Sequence, residues 1–213
     1  MSTISKNRRK TLFLAQFSIL LAIEAVVCFT PLGSLPAIGP VVATLSHIPV
    51  IITAVALGTG AGAGMGFAFG LFSFLVWTFT PPSPIAFVFT PFYSLGEFNG
   101  NFYSLLICFV PRILIGVVTG LLCRALKRLK QDNIKAGIAA LIGSLTNTFL
   151  VLLGIYFFFG ESFAAVNEVT VDFLLKGFVG MTILTSGLPE AALAAFLAAG
   201  VAVPVKKALK KYS

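Results

Sequence analysis

Six long apolar stretches follow one another along this chain, and almost every charge lies between them. They run over residues 11–30, 41–57, 60–79, 102–123, 134–159 and 173–203. The hydrocarbon core of a bilayer is about 30 Å thick and selects runs of about 20 apolar residues. A water-soluble fold cannot hide this much apolar surface. Only 10% of the residues are charged, against about 25% in a typical soluble domain. The runs are continuous and lack the period of two that a membrane β-barrel requires. The sequence therefore predicts an all-α integral membrane protein, a single transmembrane domain over residues 1–213 with six membrane-crossing helices.

Lysine and arginine placement orients such a chain, because basic loops stay cytoplasmic. Lys6, Arg8, Arg9 and Lys10 precede the first run. Arg124, Lys127, Arg128, Lys130 and Lys135 surround the link between the fourth and fifth. Lys206, Lys207, Lys210 and Lys211 follow the sixth. Only Arg112 and Lys176 fall outside these clusters. With six spans all three clusters share one side, so both termini are expected in the cytoplasm of a multi-pass plasma-membrane protein. The acids Glu97, Glu161, Glu168 and Asp172 fall in the outer loops. The net charge of +8 thus reads as a topology signal with anionic-lipid contact. It is not a nucleic-acid footprint, since no soluble domain carries it. The run after "KNRRK" is too long for a signal-peptide core and is not closed by an A-x-A site, so it is expected to stay as the first helix. Cys28, Cys108 and Cys123 have no metal or paired spacing, and no metal or cofactor is expected.

Two outer loops stand out. Residues 31–40, "PLGSLPAIGP", are stiffened by three prolines. Residues 80–101 carry four prolines and several aromatics. That loop either folds back as a lid or anchors at the interface through its rings. Gly58, Gly62, Gly66 and Gly70 recur every four residues and predict close helix packing rather than a nucleotide loop. Ala15, Ser18, Ala22 and Ala25 form a stripe of small residues on the first helix. Spacing alone does not say whether its partner helix belongs to this chain or to another protein.

The polar residues inside the spans are the candidates for function. Arg112, in "CFVPRILIGVVTG", lies about 15 Å into its span at 1.5 Å per residue. A guanidinium at that depth needs an anion, either Glu190 in the sixth span or the carboxylate of a ligand. His47 is a cap or an interfacial hydrogen-bonding group, and a lone histidine makes no zinc site. Thr146 and Asn147 belong to a polar cluster, "SLTNTF", suited either to interhelical bonding or to a ligand. Trp77 is a belt residue or a platform for a ligand. No nucleophile with an adjacent base, metalloprotease motif or phosphate loop is present, so an enzyme is not expected.

Taken in order, "TLSHIPVII" (44–52), "ALGTGAGAGMGFAFGLFSF" (56–74), "FVPRILIG" (109–116), "GSLTNTFLVLLGI" (143–155) and the acid of "SGLPEAAL" (186–193) carry a resemblance. The chain resembles the substrate-binding S-component of an energy-coupling factor (ECF) vitamin transporter, and within that family the pantothenate group. The likeness spans about residues 12–205. It implies a six-helix S-component bundle with a vitamin site near the outer face. It also implies one transmembrane coupling protein and two cytoplasmic ATPases as partners. The family's Ala-x-x-x-Ala contact motif matches here as Ser18 and Ala22, with serine for the first alanine. The turn at 57–61, "LGTGA", lacks the basic residue that related sequences often carry. The resemblance implies that Arg112 takes the pantothenate carboxylate, with Asn147, Thr146 or His47 on its amide and hydroxyls. Glu190 would hold Arg112 or accept from a hydroxyl. The alternatives are an S-component for another vitamin, such as cobalamin or a pyrimidine precursor, or a stand-alone secondary transporter. Against the last, no inverted repeat of spans is visible. A membrane assembly protein without a small ligand is a further alternative.

Overall fold

A computed structural model describes residues 3–33 and 45–211. The helices are α1 (Thr3–Phe29), α2 (Ile48–Leu57), α3 (Thr59–Phe79), α4 (Phe102–Ala125) and α5 (Asp132–Val166). A C-terminal rod follows over residues 171–211. Among the described residues five helices are long and apolar enough to cross a membrane: Asn7–Phe29, Thr59–Phe79, Phe102–Arg128, Asp132–Val166 and Val179–Ala208. The chain is thus an all-helical membrane protein.

The expected second span differs. Its first residues, 41–44, lie outside the described residues, as do 34–40 of the proline-rich loop. Its described helix, α2, has 10 residues, about 15 Å at 1.5 Å per residue. That is half of a bilayer core. The cause is local: Pro49 sets the first turn, and Gly58, at φ 98°, breaks the chain into α3. Val50, Ile51 and Thr53 have no exposed surface, so α2 is packed inside the bundle.

Glycines set the bundle geometry. A Cβ on Gly62 would lie 2.9 Å from the Gly116 carbonyl oxygen, and one on Gly116 would collide with the Gly62 carbonyl. Gly66 faces the Arg112 carbonyl and Gly70 faces Phe109 in the same way. The antiparallel pair α3 and α4 therefore meets backbone to backbone, as the four-residue glycine spacing predicts. Gly58 is the exception in that series and serves the turn.

These pairings also fix the ends of the bundle. Phe17 lies by Gly64 and Phe29 by Phe72, so α1 runs with α3. Gly137 faces Ala195 and Ala199, and Thr148 faces Gly187, so the rod runs back along α5. The start of α1, the α4–α5 turn and the end of the rod thus share one end, and the three basic clusters lie there together.

The rod is not a plain α-helix. Wide π turns occupy Leu174–Phe178, Ile183–Gly187 and Ala198–Ala202. The last two lie just before Pro189 and Pro204. A proline has no N–H for the carbonyl four residues back, and a wider turn lets that carbonyl find the next donor.

The segment 80–101 is folded inward. Ala86, Phe87, Val88 and Thr90 have no exposed surface. Ser104 Oγ donates to the Phe87 carbonyl at 2.7 Å, and the Phe87 ring meets Phe159 edge-on at 5.8 Å. A two-residue hairpin, β1 (Ser94–Leu95) with β2 (Phe98–Asn99), leads into the Asn101 cap of α4. The rings of this segment thus build an apolar cluster with α4, α5 and the rod, rather than only an interfacial belt.

Candidate functional site

Arg112 is placed by its own helix. Pro111 precedes it inside α4, and side chains on a helix lean back toward its N-terminus. Arg112 Nη1 donates to the Ile107 carbonyl at 2.8 Å. Its Cζ lies 5.7 Å from the Phe69 ring centre and 5.2 Å from that of Phe89. Trp77 stacks on Phe89, with ring centres 4.6 Å apart. The residue is only 7% exposed, yet Nε is buried with no hydrogen-bond partner among the described residues. Two ring faces contribute about 0.5–2 kcal/mol each. Desolvating a charge costs several kcal/mol. A buried guanidinium with an unpartnered Nε therefore favours an anion, and the parallel N–H groups of an Nε–Nη2 edge suit a carboxylate.

That residue lines a cavity of about 500 Å³, within the range of about 300–1,000 Å³ typical of small-molecule sites. The cavity lies between the two apolar clusters of the bundle, in the half away from the basic end. Cys28 through Pro31 from the end of α1 form one wall, and Phe69, Ser73 and Trp77 of α3 the next. Pro82, Ser83, Ile85 and Phe89 come from the inward-folded segment. Asn147, Thr148, Val151 and Leu152 come from α5; Thr182, Ser186 and Glu190 come from the rod.

Of the residues singled out from sequence, Arg112, Asn147, Trp77 and Glu190 line this one cavity. His47 and Thr146 do not. His47 is buried, 3.1 Å from Ser144 Oγ, where it ties the start of α2 to α5. The Thr146 hydroxyl donates to the Ile142 carbonyl at 2.7 Å on its own helix. Its neighbour two residues on, Thr148, is the threonine at the cavity, because consecutive helical positions point about 100° apart. Sequence reasoning also passed over Thr182 and Ser186. Their signal was present: Thr182, Ser186 and Glu190 are four apart, a polar stripe within the largely apolar stretch 177–203. Asn147 Oδ1 and Thr182 Oγ1 are buried without partners among the described residues. One is an acceptor waiting for a donor, and the other can donate or accept. Below the cavity, Glu24 of α1 is fully buried and accepts from Cys28 Sγ at 3.2 Å.

The stripe on α1 faces away from this interior. Phe17, Leu20, Leu21, Glu24 and Cys28 turn into the bundle. Ala15, Ser18 and Ala22 are exposed, and Ala25 is half-buried.

Comparison with known proteins places this geometry. Over 170 residues, 79% of this chain and 80% of the other, it is 34% identical to the pantothenic acid transporter PanT of Lactococcus lactis subsp. cremoris (strain MG1363). The family described as "ECF transporter, substrate-specific component" matches residues 12–202. Arg112 and the rest of the cavity wall fall inside that match, and the chain belongs to the ECF-transporter substrate-specific components.

Proposed function

We propose that this chain captures pantothenate and delivers it as the binding subunit of an ECF importer. The observation that carries the reading is Arg112 in the wall of a vitamin-sized cavity, buried and with its Nε lacking a partner among the described residues. Pantothenate offers one carboxylate, an amide and two hydroxyls. The carboxylate suits the Arg112 edge, bidentately. The hydroxyls and amide suit Asn147, Thr182, Ser186 and Glu190 across the cavity. Trp77, stacked on Phe89, supplies an apolar wall. Cobalamin is too bulky for this space, and an uncharged pyrimidine leaves Arg112 without its anion. The relative named for pantothenic acid supports the same choice.

Six helices with both termini cytoplasmic complete the reading. The three basic clusters at one end of the bundle support that orientation, and it puts the cavity in the outer half. Ala15, Ser18, Ala22 and Ala25 then serve as the contact for the coupling protein, whose two ATPase partners hydrolyse ATP. Mass spectrometry of small molecules released from the purified protein should find pantothenate. Proteoliposomes should accumulate it only when the coupling protein and the ATPases are present. Recovery of a neutral ligand, or ATP-independent accumulation by this chain alone, would overturn the proposal.

A further inference from the structure

The pairing of Pro111 with Arg112 is a device. In an unbroken α-helix the residue 111 N–H would bond the Ile107 carbonyl. Proline has no N–H, so that carbonyl leaves the ladder. It cannot turn to water, since Ile107 is 2% exposed. Arg112 Nη1, leaning back along the helix, donates to this same oxygen at 2.8 Å. Both ends of the bond are held by close packing. The Ile107 side chain fits against Gly154 of α5, where a Cβ would lie 2.7 Å from it. The Arg112 backbone is pressed against Gly66 of α3. Tying down Nη1 also decides what is left. Nε and Nη2 form the opposite edge of the planar guanidinium, and it is Nε that has no partner among the described residues.

We propose that Pro111 is a positioning residue for anion recognition: it frees the Ile107 carbonyl to hold Arg112 Nη1, so that the Nε–Nη2 edge is left for an anion. A helix with an ordinary residue at 111 would fill the Ile107 carbonyl from its own backbone. The guanidinium would then lose its fixed orientation while keeping its charge. This rests on the reading of Arg112 as the carboxylate receptor.

The test is Pro111→Ala in the full-length protein, read in two ways. Nitrogen-15 NMR of labelled arginine side chains, with Arg112 assigned from its loss in Arg112→Gln, reports on rotation of the Nη groups without any ligand. Slowly rotating Arg112 Nη groups are expected in the native protein and fast rotation in Pro111→Ala. Calorimetric titration should show pantothenate affinity falling about tenfold, the size of one hydrogen bond to a charged group. Pantothenol, with an alcohol in place of the carboxylate, should keep its native affinity. Freely rotating Nη groups in the native protein, or restricted ones that persist in Pro111→Ala, would overturn the proposal. Equal losses for acid and alcohol would assign Pro111 to helix geometry alone. If the native protein binds no pantothenate, the substrate reading fails, and the Nη rotation by itself decides the role of the proline.

Discussion

Arg112→Gln is the substitution with the sharpest expected outcome. Glutamine keeps a donor and removes the charge. A carboxylate on the Nε–Nη2 edge receives two charge-assisted hydrogen bonds, at about 1.5–3 kcal/mol each. The lower figure suits a cavity that also admits water, giving about 3 kcal/mol for the pair. A neutral amide bond from glutamine restores about 1 kcal/mol. The net loss of about 2 kcal/mol corresponds to about thirtyfold in affinity. A second cost falls elsewhere: the Ile107 carbonyl loses the Nη1 bond, and a buried orphan costs about 1–3 kcal/mol. That cost weighs on the protein whatever it binds, so it should appear as a lower unfolding temperature without ligand. Pantothenol separates the two effects. Calorimetry on both ligands should show the acid weakened about thirtyfold by the substitution and the alcohol changed much less. Equal losses for acid and alcohol would refute the reasoning and return Arg112 to the scaffold. Glu190→Gln completes the comparison, because a purely structural Arg112–Glu190 pair requires that change to destabilise the protein even without ligand.

Three further outcomes are expected. Thr182→Val removes a buried hydroxyl that has no partner among the described residues, so thermal unfolding of the free protein should be unchanged or up to about 1 kcal/mol more stable, while pantothenate titration should show weaker binding; unchanged binding would remove Thr182 from the ligand's surroundings. Thr146→Ala, two residues from Thr148 but off the cavity, should shift stability by no more than about 0.5 kcal/mol and leave affinity untouched. Ala22→Trp, on the exposed face of α1, should abolish uptake in the reconstituted transporter with ligand binding intact, and a parallel loss of both would place Ala22 in the protein's own core.

The all-helical membrane character and the glycine-packed pair α3–α4 were legible because both rest on strong local signals: apolar runs of bilayer length and a strict four-residue spacing. Arg112 was legible for a related reason, since a charge in a run like "CFVPRILIG" has few places to go. What stayed hidden depended on rotation and on tertiary contact. Thr146 and Thr148 are chemically alike, and only the helix's orientation against its neighbours tells which one meets the cavity. The place of His47 was not legible either, because Ser144, far off in the sequence, lies against it and it is absent from the cavity wall. An apolar run likewise does not reveal that α2 is short and packed inside the bundle. In the segment 80–101, prolines and rings are compatible with either a lid or an interfacial anchor. The burial of residues 85–90 is decided by Ser104, Phe159 and their neighbours, which no local pattern announces.

The backbone contact between α3 and α4 has a consequence for how such a protein changes over generations. Where Gly62 meets Gly116 there is no side chain to vary, and any Cβ drives the helices apart. This seam therefore behaves as a fixed frame that tolerates no added side chain and fixes the backbone of Arg112. The opposite walls, from α5, the rod and the inward-folded segment, meet the cavity through side chains whose size and polarity can be exchanged singly. A descendant that needed to carry a different small molecule would have the freedom to rewrite Asn147, Thr148, Thr182 or Ser186 while leaving every glycine of the seam in place. Inheritance of the scaffold and divergence of the cargo thus fall largely to different residues, with Arg112 on the seam helix α4 as the point where the two meet.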